Sequence, residues 1–199
     1  MKMMTWITAA LLISTPVLAD AVPGKDAPNF EVKDASGKTQ KLSDYKGKWV
    51  VLEWFNKGCP FVKKQYSSNT MQKLQKTYTD KGVVWLTVNS SAKGKEGYVE
   101  PTQALADAKE RGASPTAILI DTDGKVGHAF GAKTTPHMFV ITPDQKVAYA
   151  GAIDDNDSAD PKVIPQSKNY VAAALDSGLA GKPIATVSSR PYGCGVKYQ

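Results

Sequence analysis

The sequence predicts an α/β fold: a mixed central sheet flanked by helices, with a small hairpin as an N-terminal extension. Three observations carry this. Short apolar runs rich in β-branched and aromatic residues, at 49–55, 83–88 and 116–120, read as buried strands. Helical patterns separate them, after Cys59 and over 101–111. A hairpin and an amphipathic helix then close the chain, and strands alternating with helices ahead of such a unit make a layered domain.

Residues 1–19 read as a secretory signal. Lys2 gives the positive start, 6–13 the apolar stretch, and Val17-Leu18-Ala19 a small-residue cleavage site. The apolar stretch is short for a bilayer span, so cleavage is expected over an uncleaved anchor. Residues 20–199 are then the size of one domain. Export implies a periplasmic or secreted protein, with membrane association not required, in a compartment where two cysteines can join.

After a Pro/Gly-rich lead-in, 30–32 and 39–42 flank the turn-rich Asp34-Ala35-Ser36-Gly37-Lys38 and predict the hairpin. The central strand follows at 49–55. The helix after Cys59 is expected to run to about Tyr78, with irregularity around 67–70, until Asp80-Lys81-Gly82 ends it. Strand 83–88, a polar loop, helix 101–111 and strand 116–120 come next. A helical turn over 126–130 leads to Thr134-Thr135-Pro136. Residues 137–141 and 146–151 pair around Thr142-Pro143-Asp144-Gln145. An acidic loop, 154–165, precedes the helix at 169–179, and a Gly-flanked tail with Cys194 is expected to be mobile.

Composition narrows the function. The net charge of +6 rests on scattered lysines and only two arginines, Arg111 and Arg190, so the arginine-led stripes of nucleic-acid readers are missing. His128 and His137 stand in no metal-ligand spacing with either cysteine; no metal or cofactor is expected.

Chemistry concentrates at Cys59. A strand breaks at Asn56-Lys57-Gly58, Cys59 follows, and Pro60 occupies the first helical position, where its missing N–H costs nothing. A cysteine there faces unpaired N–H groups and the positive helix end, which favour thiolate. Lys57, Lys63 and Lys64 are expected to add positive charge. The residues alone leave a second reading open, an inert buried cysteine or half of a structural disulfide.

The order of these pieces resembles the thioredoxin-fold redoxin superfamily. The strand, the Cys-Pro helix start, the later Thr-Pro before a strand and the last helix are similar to a thioredoxin-like fold. Ala27-Pro28-Asn29-Phe30, Asp121-Thr122-Asp123-Gly124 and the Gly193-Cys194-Gly195 tail resemble the branch of alkyl hydroperoxide reductase/thiol-specific antioxidant proteins and exported thioredoxin-like reductases, and within it a peroxiredoxin-like subgroup. The resemblance implies Cys59 as nucleophile, Cys194 as resolving cysteine, Glu53 as a buried proton carrier and Thr135-Pro136 as a cis-proline loop facing the nucleophile.

The sequence also departs from the pattern. The second thioredoxin cysteine falls on Val62, and the proline and threonine of a peroxide pocket fall on Leu52 and Asn56. Asn56 retains a hydrogen-bond donor, lysines are expected to replace a missing arginine, and His137 reads as an ordinary strand residue. The expected function is an exported, peroxiredoxin-like oxidoreductase reducing hydroperoxides through Cys59 and Cys194, with an exported or membrane thiol reductant as electron donor. The alternatives are a protein thiol–disulfide oxidoreductase and a disulfide-stapled binding module without turnover. The Cys59–Cys194 pair is accordingly either redox-cycling or a staple of about 5 kcal/mol.

Overall fold

The computed structural model describes residues 21–199; the secretory-signal reading of 1–19 lies outside the described residues. Strands β1 (Glu31–Lys33) and β2 (Thr39–Lys41) form the expected hairpin, with Glu31 opposite Lys41. Asp34 organises its turn by accepting from the Ser36 and Lys38 N–H groups at 2.8 and 3.0 Å.

The core is a five-stranded mixed sheet. Strand β3 (Val50–Trp54) sits at its centre and is followed by helices α1 (Pro60–Ser67) and α2 (Thr70–Thr79). Strand β4 (Val84–Asn89), helix α3 (Pro101–Glu110) and strand β5 (Ala117–Ile120) extend the parallel side. After helix α4 (Lys125–Phe130) and the two-residue β6 (Thr134–Thr135), strands β7 (His137–Ile141) and β8 (Val147–Gly151) add the antiparallel side. The sheet order is β5-β4-β3-β7-β8. Every residue of β3 and β4 is buried, as befits parallel strands covered on both faces.

Strand periodicity sorts β3 into two layers. Val51 and Phe55 pack with Cys59, Val62, Tyr66 and Met71 of the α1/α2 side and with Val171 and Leu175 of α5 (Tyr170–Leu179). Val50, Leu52 and Trp54 face the other way, toward Phe30, Leu42, Val126 and Phe130. The long predicted helix is two helices: Asn69 takes the left-handed conformation at φ 61°, which asparagine tolerates better than most residues, and the chain turns there.

The tail departs from expectation. It is not loose: β9 (Cys194–Gly195) pairs antiparallel with β6, Cys194 opposite Thr135 and Gly195 opposite Thr134. Gly193, at φ 136°, permits the approach, since a Cβ there would collide with the Thr135 carbonyl. Beyond β9, the Val196 N–H donates to the Lys133 carbonyl at 3.1 Å, and Tyr198 stacks on His128 while its hydroxyl donates to the Ala132 carbonyl at 2.8 Å. Among the described residues no helix is long and apolar enough to cross a membrane.

Candidate active site

The turn after β3 delivers Cys59 to the start of α1. Asn56 shapes it: its Oδ1 accepts from the Gly58 N–H at 2.8 Å, and its carbonyl accepts from the Cys59 N–H at 3.1 Å. Cys59 is the N-cap of α1, Pro60 is the first helical residue, and the Cys59 carbonyl accepts from the Lys63 N–H at 2.9 Å. The side chain is 1% exposed. As a thiol it donates to the Thr135 carbonyl at 2.9 Å.

The β6–β9 pairing brings Cys194, half-buried, to the same place, and both thiols are free. Burial pushes the Cys59 thiol up, but hydrogen bonds from the Cys194 thiol, Thr135 and the Val62 and Cys194 N–H groups outweigh it and hold Cys59 below its ordinary value. Cys194 moves the other way, up to about 11, through burial, its bond to the Cys59 sulfur and the negative charge there. The two thiols are thus split, Cys59 held low and Cys194 held high.

The lysines do not supply this. Lys57 is paired with Asp107 at 2.8 Å, Lys63 is exposed, and Lys64 is fully buried against Asp154 at 3.3 Å; the Cys194 thiol and Thr135, and after them the Val62 N–H at the helix start, carry the effect. Leu52 points into the opposite layer from Cys59, as alternation along β3 requires. The Asn56 amide nitrogen is engaged, donating to Glu96 at 2.9 Å. Arg111 lies with its guanidinium 4.4 Å over the Phe55 ring and 5.2 Å over Tyr66, at the edge of a groove of about 350 Å³ beside α1.

Glu53 is fully buried on the Cys59 side of the sheet. It accepts from the Tyr66 hydroxyl and the Trp85 indole, both at 2.8 Å, from Gln75 at 3.1 Å and from Thr87 at 3.3 Å. Burial raises its pKa against these four donors. Tyr66 belongs to the same apolar cluster as Cys59, and among the described residues no hydrogen bond joins Glu53 to Cys59. The Thr135–Pro136 bond is cis. His137 is buried, its Nδ1 accepting from the Lys133 N–H at 3.2 Å, and burial and then Lys133 lower its pKa to about 4, so it stays neutral.

Residues 23–150 match the AhpC/TSA family. The chain belongs to that family. Thiol-disulfide oxidoreductase ResA of Bacillus subtilis (strain 168) is 32% identical over 124 residues, 62% of this chain and 64% of the relative. The chain therefore spans less than two thirds of that curated relative. A hypothetical protein of Sinorhizobium meliloti 1021 superposes with a TM-score of 0.76 at 22% identity, over 91% of this chain and 97% of that one, a likeness of fold. A putative thiol:disulfide interchange protein DsbE of Chlorobium tepidum gives 0.58 at 25% identity, over 78% and 99%. The AhpC/TSA chain has the thioredoxin-like fold, as expected.

The AhpC/TSA match contains Glu53, Cys59, Thr135 and Pro136, which the fold gathers with Cys194 from outside it. Tyr66, which no motif marks, is on α1, and its hydroxyl is a partner of Glu53. The sequence pattern reads Lys64 only as positive charge near Cys59, and it gives no role to Gln75, Asp154 or Tyr192. An acid just after β8 and a tyrosine two residues before Cys194 were the only signals for the last two.

Proposed function

We propose that this chain is an exported thiol–disulfide oxidoreductase working through Cys59 and Cys194. The observation that carries the reading is the seating of Cys194 on Cys59 by pairing with the cis-proline strand, one thiol held low and its partner high. The names of the ResA and DsbE relatives support the same chemistry. The Cys59 thiolate attacks one sulfur of a substrate disulfide, and the other leaves as a thiolate. Cys194 gives up its proton, attacks Cys59 in the mixed disulfide and releases the second substrate thiolate. Two electrons and two protons have then passed from the protein to the substrate, and an exported or membrane thiol reductant returns them. Because Cys59 is 1% exposed, the tail lifts to admit the substrate sulfur.

The peroxidase reading has less behind it, since Leu52 faces away and the Asn56 amide is engaged by Glu96. The test incubates the reduced chain with hydrogen peroxide and, separately, with a disulfide-bonded protein such as insulin. Cys194→Ser is expected to accumulate a mixed disulfide between Cys59 and insulin, and the wild type to oxidise faster with insulin than with peroxide. Oxidation by peroxide alone would favour the peroxidase, and no reaction with either would favour the binding module. Export is tested by N-terminal sequencing of the protein from a periplasmic fraction, with Asp20 the expected first residue.

A further inference from the structure

The helix that starts at Cys59 also carries a buried anchor for the tail. Lys64, with a side chain 0% exposed, donates from Nζ to the Asn156 carbonyl at 2.6 Å and to Asp154 Oδ1 at 3.3 Å. Gln65 donates to Asp154 Oδ2 at 2.6 Å. Into this group comes Tyr192, whose hydroxyl donates to Asp154 Oδ1 at 2.5 Å and lies 3.4 Å from Lys64 Nζ. Its ring packs edge-on against Phe61 with centroids 5.6 Å apart, and Lys64 Nζ sits 5.3 Å over it.

The spacing of these residues is what links them to the thiols. From Cys59 to Lys64 the helix rises about 7.5 Å. From Tyr192 to Cys194 an extended chain covers about 6.6 Å. A tail pinned at Lys64 and running back toward the start of α1 therefore brings Cys194 level with Cys59. A buried ion pair adds little stability over apolar side chains of the same size, so what Lys64 and Asp154 provide is a fixed, polar seat.

We propose that Tyr192 is the positioning residue for Cys194, holding the tail cysteine on Cys59 through its seat on Asp154, Lys64 and Phe61. The inference rests on Cys59 and Cys194 being the working pair, and it joins Asp154, Tyr192 and Cys194, all beyond the 23–150 family match, to Phe61 and Lys64 within it. The clamp raises the effective concentration of Cys194 at Cys59, and it also keeps Cys59 covered.

The test equilibrates the chain and its Tyr192→Phe and Tyr192→Ala variants in glutathione buffers. There the two protein thiols give two electrons and two protons to oxidised glutathione, forming one protein disulfide and two reduced glutathiones. Tyr192→Phe removes a hydrogen bond to a charged group and keeps the ring. It is expected to lower the effective concentration of the pair by about tenfold or more, and Tyr192→Ala further. In a Cys194→Ser background, alkylation of Cys59 is expected to be faster with Tyr192→Phe than without it. Thermal unfolding of each reduced variant checks the fold. A lowered melting temperature with unchanged effective concentration and unchanged Cys59 alkylation would make Tyr192 merely structural and overturn the proposal. If the wild type forms no Cys59–Cys194 disulfide, the proposed function fails. The alkylation rates still decide the clamp: faster with Tyr192→Phe supports it, equal overturns it.

Discussion

Thr135 and Cys194 stand opposite each other in a two-residue antiparallel ladder, and the Cys59 thiol donates to the Thr135 carbonyl beneath them. The tail thereby supplies, from 135 residues away along the chain, the second thiol that Val62 does not. Its distance in sequence is cancelled by strand pairing on one side and by the Tyr192 seat on the other.

The first prediction concerns pH. The Cys59 alkylation rate is expected to fall as pH drops through an apparent pKa below the ordinary thiol value of about 8.5, and to level off above it. Cys194 loses its proton only near about 11, so no second step belongs in the neutral range. Cys194→Ala removes one donor to the Cys59 sulfur and should move the Cys59 pKa upward. Mass spectrometry of the alkylated peptide across pH checks both, and a pKa unchanged by Cys194→Ala would contradict the hydrogen-bond account.

Glu53 yields a stability prediction. Burial raises its folded-state pKa, so its contribution is fully present below the unfolded value and is lost as pH rises through the folded one. Wild-type unfolding free energy should therefore decline from about pH 4.5 upward on account of Glu53, and Glu53→Gln should lack that slope. The variant should fold, because the amide oxygen can take the site of Oε2 and the Tyr66 hydroxyl can turn to accept from the amide nitrogen. The proton-carrier role proposed for Glu53 predicts a rate effect, with thiol–disulfide exchange slowed by about a hundredfold in Glu53→Gln. Urea unfolding and exchange rates measured from pH 4 to 8 decide it; equal rates would leave Glu53 a structural acid.

Much of the fold was readable because the strands and helices are dictated by local apolar patterns. The α1/α2 break showed itself in the polar residues 67–70, and Cys59 in the strand-Cys-Pro junction. What stayed hidden was long-range. Lysine looks like solvent charge in any sequence, and only the partner Asp154, ninety residues on, explains a buried Lys64. The glycines around Cys194 suggested looseness; Gly193 instead allows the close backbone approach that fixes the tail.

Gly193 can be tested alone. Gly193→Ala places a Cβ against the Thr135 carbonyl at a φ that L residues rarely adopt, and is expected to cost about 1–3 kcal/mol of stability. The larger consequence should be local: β9 lifts and Cys59 alkylates faster. Chemical denaturation together with the alkylation rate reads both. An unperturbed variant would mean that the β6–β9 pairing is not maintained in solution.

The buried pair offers a double-mutant cycle. Asp154→Ala leaves Lys64 charged and buried without its carboxylate, and should destabilise by about 3–5 kcal/mol. Adding Lys64→Met should recover much of that loss. Guanidinium unfolding of the four proteins measures the coupling, and additive losses would show that the two residues do not interact.

The working pair itself is tested most directly by a disulfide map of the full chain after equilibration with oxidised glutathione. The account predicts one linked peptide pair, Cys59 to Cys194, formed within a single molecule and reopened by a mild dithiol. Two free thiols, separate glutathione adducts on each cysteine, or a bond that the dithiol leaves closed would contradict it.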